Sequence, residues 1–251
     1  MKSEVIVLSD GDQLAAAAAQ RIVDAATSAI AARGQFTLAL AGGHTPEKTY
    51  GLLTQAPLLG KIDGTKTWLF FGDERFVPLD DPRSNYAMAQ RVLLKAAPIP
   101  ADHVFPAPVE QSSPAAAAAE YERQLSGFFK LPAGSPPPIL DLILLGLGDD
   151  GHTASLFPGA PALQETRSWV TSSPPGVLPP PVDRVTFTFP TLNAARQVLF
   201  LVAGANKAEA VRDVIERHAS VATRPAAGVH PEYGTLTWLL DTAAAKLLEN
   251  K

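Results

Sequence analysis

The 251-residue sequence predicts an α/β fold in a single domain over residues 1–251, with a mostly parallel central sheet and helices on both faces. Three observations predict it. Short apolar runs alternate with longer helix-forming stretches along the chain, the order of strand–helix–strand units. The runs at 140–145 and 198–202 are almost continuously apolar, as strands covered on both faces are. Several runs stop in glycine followed by charged or hydroxyl residues, which is how strands in open α/β sheets deliver side chains to a site at their carboxyl ends.

The elements follow in order. Residues 4–8 read as a strand, and Asp10 caps a helix over 13–33 that ends at Gly34. An apolar strand at 36–41 closes in Gly42-Gly43, and a helix over 46–54 carries Pro46 in its first turn. A strand at 67–71 ends at Gly72, and Ser84 caps a helix running to 95. The Ala-rich stretch 115–130 is a helix, followed by the strand at 140–145. Further strands are expected at 169–171, 184–189, 198–203 and 235–240, with helices over 206–217 and 242–249. Two proline-rich stretches, 132–138 and 174–181, read as loops, the second a plain connector rather than a lid.

Composition narrows the function. Hydrophobic residues make up 46% and charged residues 18%, ordinary for a globular enzyme. A net charge of −4 with Lys and Arg scattered, not clustered, argues against a nucleic-acid partner. The absence of cysteine excludes disulfides, a thiol nucleophile and thiolate metal sites. The N-terminus enters a strand directly, with no leader, and no apolar run is long enough to span a bilayer. We expect a cytoplasmic monomer with no membrane partner.

Four clusters carry chemistry. The loop Gly146-Leu147-Gly148-Asp149-Asp150-Gly151-His152-Thr153 follows the strand at 140–145. A histidine at a strand's carboxyl end is placed to take up a proton near neutral pH. Asp149, three residues before His152, is the carboxylate expected to fix its tautomer. No Gly-x-Ser-x-Gly elbow exists, so water is the expected nucleophile of a hydrolysis. The loop Gly42-Gly43-His44-Thr45-Pro46 feeds a helix N-terminus, where backbone N–H groups attract an anion. It matches neither the P-loop nor the dinucleotide fingerprint, and a simple strand–helix turn would look the same. Asp73-Glu74-Arg75 is either a surface charge cluster or a site wall in which Arg75 offers a fork to phosphate. Lys207, after Gly204-Ala205-Asn206, sits in the first turn of a helix, where a cation is unfavourable unless an anion lies nearby. An exposed lysine reaching water is the alternative. The five histidines lack the paired spacing of a zinc helix, so no metal is expected.

Taken together, Ala-Gly-Gly-x-Thr-Pro, Gly-Asp-Glu-Arg-x-Val-Pro with Ser84-Asn85-Tyr86, the segment from Gly146 to Pro158 and Gly-x-x-Lys resemble the 6-phosphogluconolactonase family. The resemblance runs from Leu8 to the closing Trp238-Leu239-Leu240-Asp241. It implies a sandwich shared with sugar-phosphate isomerases. It further implies cofactor-free opening of 6-phosphoglucono-1,5-lactone in the oxidative pentose phosphate pathway. His152 is then the general base and Asp149 its tuning partner. Arg75 and Lys207 hold phosphate with the backbone of Gly42, Gly43 and His44 and the Thr45 hydroxyl. Asp73 is a pocket residue of unassigned role. His44 stands where the family usually has serine, and we expect it to contribute only its backbone. Two other readings compete. An isomerase or aminosugar-phosphate deaminase would carry a Glu shortly after the histidine, where this chain has Thr153-Ala154-Ser155-Leu156-Phe157-Pro158 and no Glu. A non-catalytic phosphosugar-binding module would bind without turnover.

Overall fold

The computed structural model describes residues 2–132, 134–176 and 181–249. Seven parallel strands form the central sheet, in the order β1-β10-β9-β6-β2-β3-β5. They are β1 (Lys2–Leu8), β2 (Phe36–Leu40), β3 (Thr67–Phe71), β5 (Val104–Phe105), β6 (Leu142–Leu145), β9 (Gln197–Val202) and β10 (Thr235–Asp241). Their apolar runs divide by parity between two cores. Phe36, Leu38 and Leu40 of β2, with Leu142 and Leu144 of β6, face one core; Ala39, Ile143 and Leu145 face the other.

Helices cover both faces. On the first, α1 (Gly11–Arg33) buries Leu14, Ala15, Ala18 and Ile22, and its small alanines let it lie close to the sheet beside α2 (His44–Leu53). Asp10 caps α1 by accepting the N–H groups of Asp12 and Gln13 at 2.9 and 2.8 Å. On the second face lie α4 (Pro114–Phe129) and α6 (Ala208–Ile215).

Several expectations need correction. The strands near 169–173 and 184–187 do not join the central sheet. As β7 (Val170–Ser173) and β8 (Arg184–Phe187) they pair antiparallel with β4 (Asp73–Arg75) in a separate three-stranded sheet. The stretch 73–75, expected only as a charged segment after the strand at 67–71, is thus a strand. The chain after β8 turns into a short helix, α5 (Phe189–Ala194), and β5 is an edge strand too short to show in the sequence. The helix capped by Ser84 begins as α3 (Asn85–Ala89) and widens into a π-turn over Gln90–Leu94. Residues 242–249 are successive turns, not a helix. Asp241 draws in the N–H of Ala244 at 2.7 Å while Ala244, Ala245 and Leu248 are pinned in the core. The question of lid or connector at 174–181 falls on residues 177–180, outside those described.

The order of the sheet decides where a ligand belongs. Going outward from the β2–β6 pair, one half of the sheet continues through β3 and the other through β9, so the chain reverses direction there. Loops leaving two such strands diverge to opposite sides and open a crevice at their carboxyl ends.

Candidate active site

The crevice is a cavity of about 210 Å³ at the carboxyl ends of β2, β3, β6 and β9. Gly42, Gly43, Asp73, Arg75, His152 and Lys207 all border it. A larger cleft of about 420 Å³ lies between α4 and β7, but it brings together no histidine or lysine, so size does not locate the chemistry.

Two buried tyrosines fix the strand ends from which the loops leave. The Tyr50 hydroxyl donates to the carbonyl of Ala41 and accepts its N–H, both at 2.9 Å. The Tyr121 hydroxyl accepts the N–H of Phe71 at 2.8 Å and donates to the carbonyl of Phe105 at 3.0 Å. Backbone groups at a buried strand end need partners, and these two side chains supply them.

The loop after β6 is closed on itself. The N–H of Gly148 donates to the His152 carbonyl at 2.8 Å, and the Thr153 hydroxyl to the Gly146 carbonyl at 2.9 Å. A side chain at position 148 would meet the His152 ring, since its Cβ would lie 2.0 Å from Nδ1. Phe157 packs against that ring, with centroids 4.8 Å apart.

The carboxylate that holds His152 is Asp150, not Asp149. Its Oδ1 accepts both the His152 N–H at 3.0 Å and the ring Nδ1–H at 2.6 Å. An aspartate side chain bends naturally onto the backbone two residues ahead, and here that bend carries the oxygen to the ring as well. Burial raises the Asp150 pKa, but the hydrogen bonds from His152 outweigh it and the net shift is downward. With the proton on Nδ1 facing an anionic acceptor, Nε2 is left as the basic atom.

Asp149 turns outward to Lys207 and Asn206. Its Oδ1 accepts from the Lys207 ammonium and from Asn206 Nδ2, the latter at 2.9 Å. Burial acts to raise its pKa, and these two partners bring it below the ordinary value. Lys207 ends a 3₁₀ turn, Ala205–Lys207, just before α6.

On the opposite wall, Glu74 is fully buried and accepts four hydrogen bonds, from the Ser84 hydroxyl and the N–H groups of Arg75, Asn85 and Tyr86, at 2.7–3.0 Å. It therefore joins β4 to the start of α3. Burial pushes its pKa upward against those donors. Asp73 bridges two loops, accepting the Ser155 hydroxyl at 2.7 Å on one oxygen and Asn85 Nδ2 at 3.3 Å on the other. Arg75 donates to the carbonyl of Arg83 and borders the cavity.

His44 and Thr45 open α2 beside Gly43, outside the cavity wall. The His44 side chain is fully exposed, 3.8 Å from Glu47. Sequence reasoning missed Asp150, Asn85 and Ser155. The run Asp149-Asp150 held two carboxylates, and only the two-residue reach of an aspartate turn distinguishes them.

A mostly parallel sheet with a histidine, an arginine and a lysine around one crevice at the strands' carboxyl ends is an α/β architecture suited to a small anionic ligand. The chain belongs to the glucosamine-6-phosphate isomerase/6-phosphogluconolactonase family, whose sequence profile matches residues 9–238. Its likeness is to the lactonase branch. It is 41% identical to a 6-phosphogluconolactonase of Nostoc sp. over 97% of this chain and 98% of that one. To a 6-phosphogluconolactonase of Synechocystis sp. it is 44% identical over 88% of each. A solved 6-phosphogluconolactonase from Trypanosoma cruzi superposes with a TM-score of 0.86 at 31% identity, covering 99% of this chain and 98% of that one.

Proposed function

We propose that this protein hydrolyses 6-phosphoglucono-1,5-lactone to 6-phosphogluconate, a step of the oxidative pentose phosphate pathway, with His152 as general base. The observation that carries the reading is the His152–Asp150 contact of 2.6 Å at the edge of a cavity that also presents Arg75 and Lys207. Nε2 of His152 takes a proton from water as that water attacks the lactone carbonyl. His152 returns that proton to the departing ring oxygen, which becomes the C5 hydroxyl, and the new carboxylic acid releases its own proton to solvent. A δ-lactone is activated enough that no covalent enzyme intermediate is needed.

Arg75 and Lys207 hold the phosphate, and the N–H groups around Gly42 and Gly43 assist at the N-terminus of α2. Anchoring the phosphate holds the lactone carbon near the water, which converts binding into rate. Asp149 acts on Lys207, orienting its ammonium, while Asp150 has the role expected of Asp149. Asp73 ties the β3 and β6 loops together through Asn85 and Ser155. This engagement of both its oxygens favours the lactonase reading over an isomerase, which needs a carboxylate turned to the substrate carbon. His44 contributes backbone only, in keeping with its exposed side chain.

The test is turnover of freshly generated lactone, coupled to 6-phosphogluconate dehydrogenase and corrected for spontaneous hydrolysis. His152→Ala is expected to lower kcat by about a hundredfold or more. Wild-type turnover at the spontaneous rate would sink the reading and direct attention to aminosugar phosphates.

A further inference from the structure

Arg75 borders the cavity from β4, but a strand fixes only its backbone. The arginine side chain turns about several bonds, and its planar fork matches a phosphate only when correctly oriented. Among the described residues, one acceptor sets that orientation. Nη1 of Arg75 donates to the main-chain carbonyl of Arg83, while Nε makes no hydrogen bond. The aim of the guanidinium therefore depends on where the Arg83 carbonyl stands.

Asp81 places that carbonyl. Its Oδ1 accepts the N–H of Arg83 at 2.8 Å and Nε of the same residue at 2.9 Å, and its Oδ2 accepts Nη2 at 2.7 Å. The first bond is the bend of an aspartate onto the backbone two residues ahead, and the other two form a fork on the side chain. The main chain is gathered at the same residue. The N–H of Asp81 donates to the Pro78 carbonyl and its own carbonyl accepts the N–H of Ser84, both at 2.9 Å. The Arg83 carbonyl and the Ser84 N–H belong to one planar trans peptide group, so anchoring the N–H at Asp81 directs the carbonyl the opposite way, to Arg75. The hydrogen bonds from Arg83 hold the Asp81 carboxyl down at about 2, so it is ionised throughout the neutral range. Neither Asp81 nor Arg83 lines the cavity.

We propose that Asp81 is a positioning residue for phosphate binding: by closing the turn at 78–84 it presents the Arg83 carbonyl that aims Arg75 at the substrate phosphate. The proposal rests on the lactonase reading above and on the part Arg75 has in it. Its consequence is opposite to that of charge alone. Removing an anion near a phosphate site tightens binding if only charge counts. Loss of Asp81 also leaves the Arg83 cation without its carboxylate, which works in the same direction. Loss of position works the other way and weakens binding.

The experiment measures kcat and KM for freshly generated 6-phosphoglucono-1,5-lactone with wild type, Asp81→Ala and Asp81→Asn, and with the two Asp81 variants in an Arg75→Ala background. Asp81→Ala is expected to raise KM by at least about threefold, with kcat within about twofold of wild type. Asp81→Asn should raise KM by less, because its amide oxygen still accepts the N–H of Arg83. In the Arg75→Ala background either substitution should leave KM within about twofold, since one interaction cannot be lost twice. A smaller rise in Asp81→Ala, or a fall, overturns the proposal. So does a rise that persists without Arg75, because Asp81 would then act through Ser84 and the start of α3. If Asp81→Ala misfolds, Asp81→Asn carries the test, and an unchanged or lower KM overturns the proposal. Wild type that fails to turn over the lactone is a separate result and sinks the lactonase reading. Affinity for inorganic phosphate by calorimetry, expected to be weaker in the Asp81 variants than in wild type, then decides the role of Asp81.

Discussion

Asp150 reaches His152 because an aspartate side chain folds back on the residue two ahead, and the ring then lies beside the captured N–H. Asp150→Asn keeps that backbone bond but puts an amide where an acceptor-only carboxylate stood, so the ring loses its enforced tautomer. We expect kcat to fall by on the order of a hundredfold or more, with KM little changed, in steady-state assays. The same substitution tests linkage. The folded-state pKa of Asp150 lies below its unfolded value of about 3.9, so its stabilisation is present above that pH and lost as pH falls through the folded value. The melting temperature of Asp150→Asn should therefore drop less steeply than that of wild type below about pH 4. An equal acid dependence would show that the pair adds nothing to stability. His152 and its glycine-rich setting were legible in the sequence. Which of two adjacent aspartates served it was not, because the choice depends on the turn's dihedral angles.

At the scale of elements, one buried carboxylate joins β4 to α3 and thereby positions both Asp73 and Asn85. Glu74→Gln removes a buried negative charge, yet it should destabilise. Each of the four hydrogen bonds to Glu74 needs an acceptor, and the glutamine NH₂ would confront one or two of those donors. The expected cost is about 2 kcal/mol, read in chemical denaturation. Gly-Asp-Glu-Arg was visible as a site-like cluster, but the division of labour within it was not. The strand alternation of β4 buries Glu74 and leaves Asp73 and Arg75 on the side of the crevice, and only the pairing with β8 shows that 73–75 is a strand.

The whole molecule separates stability from chemistry along the strand direction. At the amino ends of the strands, opposite the crevice, buried Asp141 accepts Nη2 and Nε of Arg33 at 2.7 and 3.0 Å and the N–H and hydroxyl of Thr37 at 2.9 and 3.0 Å. It ties the end of α1 and the start of β2 to the chain entering β6. Asp141→Ala should cost about 3 kcal/mol, lowering Tm by roughly 6–12 °C. Its kcat/KM at 25 °C should stay within about twofold of wild type; a tenfold fall would show that the two poles are coupled. The sequence by itself determined the α/β class, most element limits and the segments that carry His152, Arg75 and Lys207, because hydrophobic period, caps and glycine stops are local signals. Tertiary structure alone decided that β7 and β8 leave the main sheet and that residues 242–249 stay non-helical. It alone paired Asp150 with His152 and Asp149 with Lys207. Each of these depends on which residues distant in sequence compete for the same hydrogen-bonding groups and the same buried space, and no local pattern encodes the outcome of that competition.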